Sequence, residues 1–227
     1  MLVVNPAYNA VSEAWFDPAH WGAHAQPVST GGRGSAWFLE TDQGDMVLRH
    51  YRRGGLVARV SERSYVYTGR RNTRAFQEFE LLKALHEQGL PVPEPVAACA
   101  HRSFVFYQAA IMIRRIPGAV PLPAVDNLED ECLWREVGKT IRRFHDAGLD
   151  HVDLNCDNLL VSAGEVFLID FDRCQFKCGD KGSRWRKANL DRLWRSIKKR
   201  IGPALERQTS TLWNCLMSGY DHSPESA

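Results

Sequence analysis

No apolar run in this sequence approaches the roughly 20 residues that a membrane-spanning helix needs. Runs such as Val166-Phe167-Leu168-Ile169 are long enough only for a strand. Also missing is a basic start followed by an apolar stretch and a small-residue cleavage site, so export through a signal peptide is not expected. There is no internal repeat and no low-complexity tract. Cysteine is present but unorganised: Cys99, Cys132, Cys156, Cys174, Cys178 and Cys215 follow no regular spacing. Reduced cytosolic thiols are therefore expected rather than a disulfide framework. Cys174-x3-Cys178 has no nearby His or second Cys pair, so a closed four-ligand zinc site is not expected either. Net charge is nearly absent, with 29 Lys and Arg against 27 Asp and Glu, giving +2.

What is there is ordinary globular composition: 44% hydrophobic and 25% charged residues in a chain of 227. That excludes disordered, collagen-like and coiled-coil classes and fits one compact unit or two small lobes. The near-zero total hides segregation. From Arg49 to Arg74 there are eight basic residues and one acid, Glu62; from Lys181 to Arg200 there are nine and one, Asp191. Segregated positive charge suits an anionic partner, although a solvated basic face is the plain alternative.

Residues 1–27, with Trp15, Phe16 and Trp21, read as an N-terminal extension packed on the body. The Gly-rich turn Thr30-Gly31-Gly32-Arg33-Gly34-Ser35 leads into a strand, Ala36–Glu40, and a second, Met46–Tyr51, follows the turn at Asp42–Asp45. Thr73 is placed to cap a helix to about Gln88, with Phe79, Leu82 and Leu85 as its apolar stripe. Pro91–Pro95 reads as a stiff linker, then Phe104–Tyr107 and Ala110–Ile113 as two strands. A helix over about 129–145 carries Leu133, Val137, Ile141 and Phe144 on one face. A hairpin over 159–169 and a basic amphipathic helix over about 185–201 complete the pattern. Strands come first and helices dominate later, so an α+β chain is expected, with a boundary near Pro117–Pro123.

The segment that carries chemistry is His151-Val152-Asp153-Leu154-Asn155-Cys156-Asp157-Asn158, an H-x-D-L-x-x-x-N pattern. Strand Val166–Ile169 then ends at Asp170, in Ile169-Asp170-Phe171-Asp172. Phosphoryl transfer asks little covalent chemistry of a protein. It needs a carboxylate to orient the attacking hydroxyl, and an Asn and a second carboxylate to hold Mg²⁺ on the phosphates. Asp153, Asn158 and Asp170 offer that set, with the hairpin folding Asn158 and Asp170 back beside each other. Each alone would pass for a turn, cap or strand-end residue; the spacing of all three is the pattern of protein-kinase-like enzymes.

The chain resembles the small-molecule branch of the protein-kinase-like fold and, more narrowly, the 3-deoxy-D-manno-octulosonic acid (Kdo) kinases of the lipopolysaccharide core. The narrow likeness rests on Gly31–Phe38, Val47–Arg59, Arg74-Ala75-Phe76, Gly89–Pro93, Ile116-Pro117-Gly118 and Ala188-Asn189-Leu190. It implies a β-rich N-lobe over about 28–116 and a shortened helical C-lobe over about 117–227, within one domain. It implies ATP and Mg²⁺ as cofactors. It places Asp153 as the hydroxyl-orienting base, Asn158 and Asp170 on the metal, and Gly31, Gly32 and Gly34 around the phosphates. Arg49 stands where a protein kinase has its phosphate-binding Lys; its implied partner is Glu78, with Glu80 as the other candidate. Asp172 replaces the Gly of D-F-G, which implies a fixed metal site, and Asn155 replaces a Lys found beside the base. Ile113–Ile116 is the implied hinge, in which Arg114 and Arg115 have no assigned role.

The resemblance also implies the acceptor: the 4-hydroxyl of Kdo on a Kdo-lipid A precursor, at the cytoplasmic face of an inner membrane, without a span and without a nucleic-acid partner. The basic stretches could contact anionic lipid or substrate, with Trp185 and Trp194 near the interface. For helix 185–201 a core role is favoured, because its apolar stripe is wide enough to close the lower lobe. The alternatives are another kinase on this scaffold and a non-catalytic pseudokinase that binds anionic lipid.

Overall fold

A computed structural model describes residues 1–28, 36–51, 65–177, 184–205 and 208–222. Gly31, Gly32 and Gly34, Cys178 and residues 52–64 of the first basic stretch lie outside the described residues. The chain forms two compact units: residues 1–86 with 93–115, and residues 87–92 with 116–227.

The first unit is built on seven antiparallel strands. They are β1 (Leu2–Val4), β2 (Ala25–Pro27), β3 (Ala36–Leu39), β4 (Met46–His50), β5 (Tyr65–Val66), β6 (Pro95–Ser103) and β7 (Phe106–Arg114). Their order is β1-β6-β7-β4-β3-β2, with β5 also paired to β7. Residues 1–27 are not an appendage packed on this sheet: β1 pairs with β6 and β2 with β3, so the segment supplies both ends of the strand order. Three-residue strands are too short to show a period, and this is why they read as extension. Helix α1 (Pro18–Trp21) lies between them. Phe16 and Tyr8 bury with Leu39, Met46, Leu48 and Met112, and Trp15 and Trp21 pack against that cluster.

Helix α2 (Arg74–Glu87) follows β5, and its Phe79, Leu82 and Leu85 are buried as expected. Phe76 and Phe79 cluster with Ala98, Ala100, Tyr107 and Ile111. Strand alternation decides where Arg49 goes. Met46 and Leu48 point into the cluster around Phe16, so Arg49, between Leu48 and His50, points to the α2 side. Strand β6 was not expected. Its run Val96-Ala97-Ala98-Cys99-Ala100 is buried throughout, feeding one cluster with Ala97 and Cys99 and the other with Ala98 and Ala100. Burial on both faces erases alternation, and alanine has little strand propensity. Conversely, the two strands expected at 104–107 and 110–113 are one, β7; Phe104 and Val105 form the turn before it. Arg114 and Arg115 are not simply solvated: Arg114 donates to the Gln43 carbonyl, and Arg115 lies 3.9 Å over the Phe38 ring and 4.0 Å from Asp45.

The second unit opens with β8 (Val120–Pro121) and α3 (Glu131–Asp146), N-capped by Asp130 through the Cys132 amide. Leu133, Val137, Ile141 and Phe144 are buried along α3 as its period requires. Then come β9 (Leu149–Asp150), the hairpin β10 (Leu159–Ser162) and β11 (Glu165–Leu168), β12 (Gln175–Phe176), and helices α4 (Arg184–Arg200) and α5 (Thr209–Asp221). β8 extends the hairpin and β12 pairs with β9. Helix α5 was not expected; it packs on α3 through Gly138 and Gly219.

His145 sits in that α3–α5 packing, its Nδ1 2.7 Å from the Tyr220 hydroxyl and its ring 5.1 Å from Trp185. Burial, more than the nearby Arg186 charge, pushes its pKa down from 6.5 to about 3. The folded imidazole thus stays neutral where the unfolded one binds a proton. The stability is full above pH 6.5 and is lost as pH falls toward 3. Urea unfolding at pH 7.5 and 5.5 is expected to show a larger loss for the wild type than for His145→Gln, by about 1.4 kcal/mol per fully developed pH unit. Equal losses would contradict the neutral burial.

Candidate active site

The loop after β9 is tied down by its own amides. Asn155 accepts from the Asp157 and Asn158 backbone amides at 2.9 and 3.2 Å, capping a short turn. Both Asn155 and Asn158 donate side-chain amide protons to the Asp153 carbonyl, each at 3.0 Å. The position of Asp153 is therefore set through its backbone oxygen, and its carboxylate projects into solvent. With its NH₂ committed inward, Asn158 keeps its side-chain oxygen as the acceptor.

The hairpin brings the second carboxylate alongside. Leu159 pairs with Leu168, and the Ile169 amide donates to the Asn158 carbonyl at 3.1 Å. The Ile169 carbonyl meets His151 Nε2 at 3.1 Å. A carbonyl only accepts, so Nε2 carries the proton. Burial lowers the pKa of His151 and keeps it neutral. Its ring stacks edge-on against buried Phe171 at 5.4 Å. Ile169 is thus held at both backbone atoms, and Asp170 is presented next, at φ 64. That left-handed conformation is uncommon outside glycine, although Asp and Asn tolerate it better than most residues. Asn158 and Asp170 offer hard oxygen donors of the kind Mg²⁺ takes, so the residues present fit that ion.

Helix α4 forms a rack for this loop, which sequence spacing did not disclose. Asn189 Oδ1 accepts from the His151 amide at 3.0 Å, and its NH₂ donates to buried Asp150 at 3.0 Å. Arg192 lies 3.5 Å from Asp153. Ser196 accepts from the Cys156 amide at 2.9 Å. Arg200 reaches Asp157 through Nη2 at 2.9 Å and Nε at 3.2 Å. Residues 189, 192, 196 and 200 share one helical face. The one available sequence signal is an Asn within an Arg- and Lys-rich helix. Two arginines of this basic helix, Arg192 and Arg200, are turned to the loop. The cation beside Asp153 comes from α4, since Asn155 is used as a cap.

Arg192→Gln should leave the Asn189 and Ser196 anchors in place. Stability is expected to stay within about 1 kcal/mol of wild type, the ceiling for an exposed pair. Turnover is expected to fall about tenfold, from loss of charge support beside Asp153. Paired thermal melts and steady-state kinetics check this; unchanged turnover would contradict it.

In the first unit, Arg49 Nη2 donates to both oxygens of Glu78, at 2.5 and 2.6 Å. The Tyr51 hydroxyl donates to the same carboxylate, and the Arg49 guanidinium lies 4.9 Å from the Tyr51 ring centroid. Glu80, the other candidate partner, faces solvent. Glu78 is buried, and a buried carboxylate needs such paired donors. Tyr51 follows Arg49 at i+2 on the same strand face, which is the signal that would have found it.

The profile of the lipopolysaccharide kinase (Kdo/WaaP) family matches residues 19–220. A 3-deoxy-D-manno-octulosonic acid kinase of Stenotrophomonas maltophilia is 44% identical over 214 residues, covering 91% of this chain and 83% of that protein. One from Xylella fastidiosa is 47% identical over 186 residues, covering 81% and 74%. Among solved structures, WaaP in complex with acyl carrier protein superposes with a TM-score of 0.58 at 18% identity, covering 99% of this chain and 90% of that one. An aminoglycoside-3'-phosphotransferase of type VIII gives 0.53 at 15%, covering 87% and 94%. These structures share the protein-kinase-like fold, and the extent of the family match settles membership: the chain belongs to the lipopolysaccharide kinase (Kdo/WaaP) family.

Proposed function

We propose that this chain is an ATP-dependent kinase that phosphorylates a Kdo hydroxyl, the 4-hydroxyl, on a Kdo-lipid A precursor. Asp153 orients the acceptor hydroxyl and takes its proton as the oxygen attacks the γ-phosphorus and the bond from that phosphorus to the β–γ bridging oxygen breaks, releasing ADP. Asn158 and Asp170 hold Mg²⁺, which when bound neutralises phosphate charge. Arg49, fixed by Glu78 and Tyr51, contacts the ATP phosphates, and Gly31, Gly32 and Gly34 let backbone amides approach them. The enzyme works as a peripheral protein on the cytoplasmic side of the inner membrane. No helix among the described residues is long and apolar enough to cross one.

The observation that carries this reading is the double tie within the second unit. Asn158 binds the Asp153 carbonyl with its side chain and Ile169 with its backbone. One residue thereby links the presentation of the base to the presentation of Asp170. Acceptor choice is tested with purified protein, γ-labelled ATP and three acceptors: Kdo-lipid A precursor, an aminoglycoside and a generic protein. Label is expected in the Kdo lipid alone. Label in another acceptor would move the assignment to that substrate. No label anywhere, with Kdo-lipid binding retained, would leave a pseudokinase.

A further inference from the structure

Large exposed apolar side chains are few among the described residues, and four of the five gather at one place. Phe104 is 89% exposed, Val105 60%, Val66 55% and Phe106 46%. Phe104 and Val105 form the β6–β7 turn, Val66 pairs with Phe106, and the Tyr67 amide donates to the Val105 carbonyl at 2.8 Å. They make one apolar tip. Phe104 has φ 52, a conformation for which a turn ordinarily takes Gly or Asn. The backbone gains nothing from a phenyl group there, and no described residue covers the ring. Below the tip the hairpin is firm: Tyr65 and Tyr107 are buried with their rings 5.5 Å apart.

A cation stands beside the tip. Arg102 donates to the Phe104 carbonyl at 2.8 Å and lies 4.4 Å over the Tyr67 ring. Arg70 and Arg71, also exposed, follow in sequence, with the Arg70 guanidinium lower on the sheet, 3.2 Å from the Leu2 carbonyl and 5.5 Å over the Phe76 ring. Residues 65–74 and 101–108 contain no Asp or Glu. Exposed aromatic and aliphatic side chains beside Arg102, on segments free of acidic residues, match an anionic bilayer surface, with apolar groups at the acyl boundary and the guanidinium among the phosphates. A neutral partner would not need the cation.

We propose that the β6–β7 hairpin tip, with Phe104 and Val105 at its apex, docks this protein onto anionic phospholipid. The proposal rests on the peripheral location given above and names the surface responsible. Neither α4 nor the 52–64 segment is required for it.

The test is co-sedimentation of the full chain with vesicles of phosphatidylethanolamine and phosphatidylglycerol, against phosphatidylcholine alone. Wild type is expected to pellet with the anionic vesicles only. Phe104→Ser/Val105→Ser is expected to weaken partitioning at least about tenfold, and Phe104→Leu/Val105→Leu to retain it. Added salt should weaken but not abolish wild-type binding, because only the charge contribution is screened. Melting temperatures should agree, since both side chains are exposed. Activity on a water-soluble Kdo glycoside should be unchanged while activity on vesicle-borne acceptor falls. Equal vesicle binding by wild type and the Ser variant would overturn the proposal and pass the role to the basic stretches. Absence of wild-type binding would overturn it together with the peripheral location, leaving the tip to a protein partner. Vesicle binding is read without turnover, so an enzyme inactive on both acceptors would count against the proposed reaction and not against the tip.

Discussion

Asp153→Asn is expected to lower kcat by about 10³-fold, within the range for a lost general base, while KM for ATP and the melting temperature hardly move. The reason is how the residue is held. Asn155 and Asn158 grip its backbone carbonyl, and that grip survives the change. The carboxylate itself contacts Arg192 at 3.5 Å in a half-exposed pair, which contributes little to stability. An amide of the same shape keeps the loop and loses the proton acceptor. Single-turnover kinetics beside a thermal melt separate the effects. A large fall in melting temperature would mean that Asp153 is structural, and retained kcat would remove it from the reaction. At Asp170 the matching change is Asp170→Asn rather than Ala, because φ 64 burdens alanine with backbone strain that Asn largely avoids.

The largest effect on stability is expected from Gly138→Val. A Cβ at Gly138 would press on the Leu216 carbonyl and lie 2.7 Å from the Tyr220 amide nitrogen. One at Gly219 would press on the Arg135 carbonyl and lie 2.8 Å from the Arg135 Cα. The obstacles are helix backbone, not the ends of side chains, so α3 and α5 must separate to admit any substituent. Such overpacking costs about 3 kcal/mol, or about 6–12 °C in a chain of this size. The Tyr220–His145 contact would open with it. Gly138→Ala should show a smaller loss in the same direction, and exposed Lys139→Ala almost none. A loss below about 1 kcal/mol for the valine variant would contradict the close crossing.

These cases show what a sequence discloses. Helix α3 announces itself because Leu133, Val137, Ile141 and Phe144 bury one stripe. The β10–β11 hairpin and the H-x-D-L-x-x-x-N loop are legible because their bonds are local: Asn155 caps residues two and three ahead of it. Arg49 and Glu78, 29 residues apart, were paired through family likeness, since no periodicity links a strand to a helix. Strand β6 hid because burial on both faces leaves no alternation. Helix α5 does carry a stripe, Leu212, Cys215, Leu216 and Tyr220, all buried, but its opening Thr209-Ser210-Thr211 and its Gly219 are poor helix formers that mask the period. The α4 rack hid for a third reason. Asn189, Ser196 and Arg200 meet residues about 40 positions earlier, and their polar side chains look like surface until the helix is set against the loop.

The most direct test of the central claim is mass spectrometry of Kdo-lipid A precursor after incubation with the full chain, Mg²⁺ and γ-labelled ATP. One added phosphate on the Kdo ring at the 4-hydroxyl, formed by wild type and formed about 10³-fold more slowly by Asp153→Asn, is the expected result. An unmodified lipid, or the same phosphate appearing at the wild-type rate with the Asn variant, would contradict it.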